Sequence, residues 1–128
     1  MSREGGGQRI EITRRYTFDA AHRLDWHPGK CRNLHGHTYH LEVTLSGHVN
    51  ARGVVMEFGE LDAIVESNVL HELDHSFLND ILANPTSELL AARISEALST
   101  ALPLLVKITL WESSRSSVTI SLVGDATN

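Results

Sequence analysis

The residues most able to do chemistry lie in one short run, Cys31-Arg32-Asn33-Leu34-His35-Gly36-His37-Thr38-Tyr39. His35 and His37 are two apart at the head of a strand-like pattern, and a period of two puts both imidazoles on one face. Rings so placed can approach one ion at about 2 Å, the distance at which imidazole nitrogen holds zinc. Two histidines rarely hold zinc alone, so a third ligand is needed. His22, in Phe18-Asp19-Ala20-Ala21-His22-Arg23-Leu24, is the best placed, because it follows the preceding strand among small neighbours that permit close approach. Three histidines and a water make a centre with one open position, the form in which zinc does chemistry. Eight histidines against a single cysteine favour a metal site and exclude an internal disulfide.

Cys31 admits three roles. It can be a fourth ligand that closes the site, a buried and inert thiol, or a free thiol activated by the metal and by the neighbouring Lys30 and Arg32. Spacing does not separate them. Asp74-His75, in Leu73-Asp74-His75-Ser76-Phe77-Leu78-Asn79, is a second ionisable pair, in which a carboxylate can orient an imidazole; the plainer reading is a loop cap. Glu112 follows Trp111 with the parity of Ile108 and Leu110. If buried, such an acid needs a partner, and adjacent N–H donors on a ring like an aminopyrimidinone would supply one. His71 reads as structural, and His27, His40 and His48 as solvated.

The elements that must position these residues follow from periodicity. Ile10 to Phe18 alternates as a strand, and an irregular segment with Pro28-Gly29 runs from Asp19 to Leu34. His37 to Val49 is a second strand, with Tyr39, Leu41, Val43 and Leu45 on one face and His40, Glu42, Thr44 and Ser46 on the other. After a turn at Asn50–Gly53, Val54-Val55-Met56 resumes extended structure. Phe58 to Leu70 is a helix with Leu61, Ile64, Val65 and Val69 on one side. Asn84-Pro85-Thr86-Ser87-Glu88 starts a second helix, with proline in the first turn, a capping hydroxyl or amide, and Glu88 at the positive end; it runs to about Ala101, ahead of Pro103. Leu104–Trp111 and Ser117–Val123 are two more strands. The expected architecture is α+β: a four-stranded antiparallel sheet with two helices on one face, in the order strand-strand-helix-helix-strand-strand. Its edges and uncovered face invite a homo-oligomer.

Bulk composition sets the class. The 128 residues are 41% apolar, enough for one domain with a core, here residues 10–128 behind a flexible leader at 1–9. The net charge of -5 and the lack of a basic run argue against nucleic acid. No run is long enough to cross a bilayer and no signal peptide opens the chain, so the expectation is a soluble, cytoplasmic protein without a membrane partner.

Taken in order, FDAAHRL (18–24), CRNLHGHTY (31–39), GVVMEFGEL (53–61), LDHSFLN (73–79), NPTSE (84–88) and Glu112 resemble the 6-pyruvoyl- and 6-carboxy-tetrahydropterin synthase family, across roughly Tyr16 to Ser121. The resemblance implies the tunnelling fold, with trimers closing their sheets into a barrel and two trimers stacking into a hexamer. It implies Zn2+ held by His22, His35 and His37, and puts Cys31 at the position of the catalytic cysteine. Asp74 and His75 fall on the catalytic pair given by a neighbouring subunit. Glu112 falls on the acid that anchors the pterin ring, with Thr86 and Ser87 in the segment lining that pocket. The implied substrate is 7,8-dihydroneopterin triphosphate, and Arg23, Lys30, Arg32, Lys107 and Arg115 are candidate contacts to its triphosphate.

Only three residues separate Cys31 from His35, which resembles the bacterial 6-carboxy enzymes, as does NPTSE. The resemblance therefore favours 6-carboxy-tetrahydropterin synthase on the route to queuosine and other 7-deazapurines. The alternatives are the 6-pyruvoyl enzyme, a related dihydroneopterin-processing activity such as retro-aldol cleavage, and a zinc-stabilised binding protein without turnover. Two departures from the family pattern bear on the pocket: Ser113-Ser114 follows Glu112 where threonine is usual, and Glu57 stands where aspartate is common.

Overall fold

The computed structural model describes residues 7–122. The expected leader lies largely outside them. Two long strands, β1 (Ile10–His22) and β2 (His35–Gly47), pair antiparallel from Ile10 opposite Gly47 to His22 opposite His35 without a register shift. The chain then forms a helical run in three parts, α1 (Phe58–Val65), a π-turn (Glu66–Leu70) and α2 (His71–Leu73). The wide turn leaves the Ile64 carbonyl to side chains: Asn68 Nδ2 donates to it at 2.8 Å and Ser67 Oγ at 3.3 Å. A two-residue strand, β3 (Ser76–Phe77), precedes α3 (Ser87–Ala101), β4 (Leu105–Trp111) and β5 (Ser117–Ser121).

The sheet has the order β3-β1-β2-β4-β5. This corrects the four-stranded antiparallel expectation: the sheet is five-stranded and mixed, because β3 pairs parallel with β1 through Ala20–Ser76 and Ala21–Phe77. Two residues are too few to show any periodicity, so nothing in the sequence marks them as a strand. The helix-helix part of the order is likewise interrupted by β3. β1 runs on to His22, four residues past the expected end, since its ladder with β2 holds through Asp19-Ala20-Ala21. Val54–Met56 is not a strand.

One face of the sheet carries the core. Phe18, Tyr39, Leu41, Val43, Leu45, Ile108 and Leu110 are buried against Leu61, Val65, Val69 and Leu73 of the first helical run and Leu90, Ile94 and Leu98 of α3. The expected apolar faces of β2 and α1 are therefore as read, with Ile64 only partly buried. Asp62 ties α1 to β1: Arg14 donates to its two oxygens at 3.1 and 3.0 Å, and the Tyr16 hydroxyl donates at 2.8 Å. Thr86 caps α3 by accepting from Leu89 N at 3.1 Å. Pro85 thus lies outside the helix, just ahead of the cap, and not in its first turn. No helix among the described residues is long and apolar enough to cross a membrane.

Candidate functional site

The β1–β2 register builds the centre. His22 faces His35 and Ala20 faces His37, so three imidazoles share the face that carries Phe18, Tyr39 and Leu41 deeper in. They lie at one end of the sheet, just beyond the apolar core and next to the stacked rings of Phe18 and Tyr39 (centroids 5.0 Å apart, planes 11° apart). The small side chain of Ala20 leaves room opposite His37. Gly36 has no such role: its position points to the other face, where an added Cβ would meet only Ala20 O at 3.5 Å.

Backbone carbonyls fix the orientation of two rings. His22 Nδ1 donates to Pro85 O at 2.8 Å, and His35 Nδ1 donates to Asn33 O at 2.7 Å. A carbonyl only accepts, so each Nδ1 carries its proton and each neutral ring presents a lone pair at Nε2. Those two Nε2 atoms lie 3.0 Å apart. Two lone pairs at that distance repel unless a cation lies between them. Two tetrahedral ligands at about 2 Å from one zinc would stand about 3.3 Å apart, close to what is seen. His37 Nε2 is buried with no hydrogen-bond partner, and one ligand atom from each ring falls within 4.8 Å of the others. Burial chiefly, and then the other two histidines, push the His37 pKa down, against the opposing pull of Glu112; the net shift favours the neutral form that a ligand needs. The donor set, its tautomers and the orphaned nitrogen fit a metal ion.

Cys31 lies in a 3-10 turn, Lys30–Arg32, and is half-buried. Its sulfur is not a member of the ligand group. Its carbonyl accepts from Leu24 N at 2.8 Å, drawing the β1–β2 connection back over the end of the sheet. Asn79 holds the same connection at two points, accepting from Arg23 N at 2.9 Å and donating to Arg23 O at 3.0 Å.

Glu112 lies one residue past β4 with the parity of Ile108 and Leu110, and is partly buried. Its Oε1 is 3.8 Å from His37 Nε2, and its Oε2 accepts from Ser87 Oγ at 2.5 Å. It therefore stands between the three-histidine cluster and a cavity of about 560 Å³ whose lining includes Thr86, Ser87, Glu112, Leu24, Trp26 and Val118. Thr86, Ser87 and Glu112 are thus brought together, although Thr86 also spends its hydroxyl oxygen on the α3 cap.

Asp74 and His75 are brought together with each other but not with the three histidines. His75 Nδ1 lies 3.1 Å from Asp74 Oδ2, and Asp74 Oδ1 accepts from Asp19 N at 2.9 Å. The Asp19 backbone N–H, and then His75, hold the Asp74 carboxyl below the usual carboxylate range. The pair forms a second group with Asp19, whose side chain accepts from Thr38 Oγ at 2.5 Å. Asp19 and Thr38 alternate with Ala20 and His37, so they belong to the opposite face of the sheet. His75 takes a left-handed backbone, φ 61°, uncommon for a residue with a Cβ, and its side chain is exposed.

Several contributors escape a reading of side chains along the chain. The Pro85 and Asn33 carbonyls act through the backbone. Asp19 meets Asp74 through its backbone N–H and Thr38 through its side chain, both across long sequence separations. The Tyr39 hydroxyl is buried without a partner beneath the centre; burial first and the Glu112 charge second push its pKa well above the usual range. A tyrosine where the pattern asks only for an apolar residue was the available signal.

Residues 11–122 match the family model described as 6-pyruvoyl tetrahydropterin synthase. A 6-carboxy-5,6,7,8-tetrahydropterin synthase of Haemophilus influenzae is 45% identical over 75 residues, spanning 56% of this chain and 53% of that protein, so the match reaches about half of that relative. A dihydroneopterin monophosphate aldolase of Pyrococcus furiosus is 40% identical over 86% of this chain and 96% of its own. The human 6-pyruvoyl tetrahydrobiopterin synthase is 34% identical over 92% and 97%. Among solved structures, 6-pyruvoyl tetrahydropterin synthase of Caenorhabditis elegans superposes with a TM-score of 0.80 at 29% identity, covering 89% of this chain and 96% of that one. With the family model spanning almost all of the described residues, the chain belongs to the 6-pyruvoyl/6-carboxy-tetrahydropterin synthase family of lyase-type enzymes.

Proposed function

We propose that the chain is a zinc-dependent 6-carboxy-5,6,7,8-tetrahydropterin synthase that converts 7,8-dihydroneopterin triphosphate and water to 6-carboxy-tetrahydropterin, acetaldehyde and triphosphate. The observation that carries this reading is the facing pair of Nε2 lone pairs on His22 and His35, with the unpartnered His37 Nε2 beside them and Glu112 at the mouth of the adjoining cavity. The compact Cys31–His35 spacing supports the carboxy branch.

His22, His35 and His37 would hold the zinc, which when bound supplies Lewis acidity toward the side-chain hydroxyls of the substrate and so acidifies the neighbouring C–H bonds. Glu112, still holding the Ser87 hydroxyl, accepts two N–H bonds from the aminopyrimidinone edge and sets the ring in the cavity. Cys31 takes a carbon-bound proton as thiolate and returns it. His75, oriented by Asp74, handles a hydroxyl proton on another side of the substrate. Since that pair lies on the opposite face of its own sheet, it serves the site of a neighbouring copy, in an assembly of two stacked trimers.

A second reading has an observation behind it: the aldolase relative matches nearly end to end. In that case retro-aldol cleavage would release the side chain as a two-carbon aldehyde and leave a 6-hydroxymethyl pterin. The test is to incubate the zinc-loaded protein with 7,8-dihydroneopterin triphosphate and identify the products. Acetaldehyde with 6-carboxy-tetrahydropterin is expected. A 6-pyruvoyl product, or glycolaldehyde phosphates with a 6-hydroxymethyl pterin, would overturn the assignment to the carboxy branch.

A further inference from the structure

We infer that Trp26 is the aromatic wall of the pterin pocket, stacking on the ring that Glu112 holds by its edge. This rests on the pterin reading above and adds to it a recognition element from the β1–β2 connection.

Trp26 is a large apolar side chain left 60% exposed. It is nevertheless held: its indole Nε1–H donates to Asn84 Oδ1 at 2.8 Å, which ties the ring to the segment entering α3. The connection that carries it is fixed on both sides. Leu24 N donates to Cys31 O and His27 N donates to Leu24 O at 2.9 Å, and Asn79 clamps Arg23. An exposed indole anchored at its polar edge presents a flat face in a set orientation, at little further loss of freedom when a ligand arrives.

Its neighbours say what that face meets. Trp26 and Leu24 line the same cavity as Ser87, Glu112 and Val118. In the sheet order, the β1–β2 connection lies on one side of Glu112 and Val118 of β5 on the other. The cavity therefore has an aromatic and aliphatic wall from one side, an aliphatic side chain from the other, and a carboxylate with one hydroxyl between them. Its volume, about 560 Å³, suits a small organic ligand. A planar bicyclic heterocycle with adjacent N–H donors on one edge satisfies both requirements at once: the edge pairs with Glu112 and the face lies on indole. Stacking of a heterocycle on an aromatic side chain is worth roughly 1–3 kcal/mol, or about five- to 160-fold in affinity.

The test uses 7,8-dihydropterin, which has the ring but no side chain to react, titrated calorimetrically into the zinc-loaded enzyme. Wild type should bind. Trp26→Phe, which keeps a ring but cannot reach Asn84 by hydrogen bond, should stay within about threefold. Trp26→Ala and Trp26→Leu should bind at least tenfold more weakly while zinc content and circular dichroism stay as in wild type. Wild-type affinity in Trp26→Ala would overturn the stacking role alone. Equal loss in Trp26→Phe and Trp26→Ala would also overturn it, because the indole would then be acting as a tether to Asn84. Failure of the wild type itself to bind the ring would overturn the pterin reading together with this one.

Discussion

His22 and His35 bring their Nε2 atoms within 3.0 Å of each other, while each donates its Nδ1–H to a backbone carbonyl. That arrangement makes the centre sensitive to any single ligand. His35→Ala should abolish stoichiometric zinc binding, measured by elemental analysis after dialysis. The apolar core does not include the centre, so both the variant and the chelated wild type should stay folded with a lowered Tm. One zinc per chain retained in His35→Ala would remove the three-histidine assignment.

The sulfur of Cys31 stands outside the ligand group. Cys31→Ala should therefore keep its zinc and its circular dichroism spectrum while turnover of dihydroneopterin triphosphate falls by about 10²–10⁴, the usual worth of a positioned proton-transfer group. Full turnover in the variant would end its catalytic role, and loss of zinc would make it a ligand.

Glu112 reaches both the centre and the cavity. Glu112→Ala should raise KM, or weaken dihydropterin binding, by about tenfold to a hundredfold, as for the loss of hydrogen bonds to a charged group. Zinc content should not change. Unaltered ring affinity would mark Glu112 as a bystander.

The Asp62 contact gives a pH signature far from the site. Arg14 first, and then the Tyr16 hydroxyl, hold the Asp62 carboxyl below its ordinary value of 3.8. A carboxyl lowered on folding contributes stability above its unfolded pKa and loses it as pH falls through the lower, folded value. Asp62→Asn should thus lower Tm at pH 7, and the gap to wild type should close below about pH 4. A gap that persists unchanged at pH 2.5 would show that the contact acts through shape alone.

If Asp74–His75 serves the site of a neighbouring copy, as proposed, the protein should assemble in solution. Light scattering should give a mass well above that of the 14.2 kDa chain. Mixing inactive Cys31→Ala with inactive His75→Ala, after partial denaturation and reassembly, should restore activity through mixed sites. A monodisperse, active monomer would refute the shared site.

Much of this was legible because alternation is a strong signal. Tyr39, Leu41, Val43 and Leu45 could be placed on the core face, and the two-residue spacing of His35 and His37 then put their rings on it too. Glu112 was legible as an acid on an apolar parity. What escaped depends on partners distant in sequence. Asp19-Ala20-Ala21 has little strand propensity of its own and is extended because β2 pairs with it. Ser76–Phe77 becomes a strand only by lying along β1. The meeting of Asp74 with Asp19, and of His22 with the Pro85 carbonyl, spans 55 and 63 residues. Trp26 carries no signal in the sequence, since one tryptophan in a polar loop has no pattern to belong to.

The unbroken ladder between β1 and β2 also limits how this gene can change length. One residue added to β1 between Phe18 and His22 would turn His22 to the wrong side of the sheet or force a bulge beside it, and the same holds for β2 between His35 and Tyr39. The span from Arg23 to Leu34 lies outside the ladder, and of its residues only Asn33 orients a ligand ring, so insertions and deletions ahead of Asn33 leave the ligand geometry alone. Length differences among relatives should therefore gather in that span, where they remodel what the pocket can admit without disturbing the three histidines.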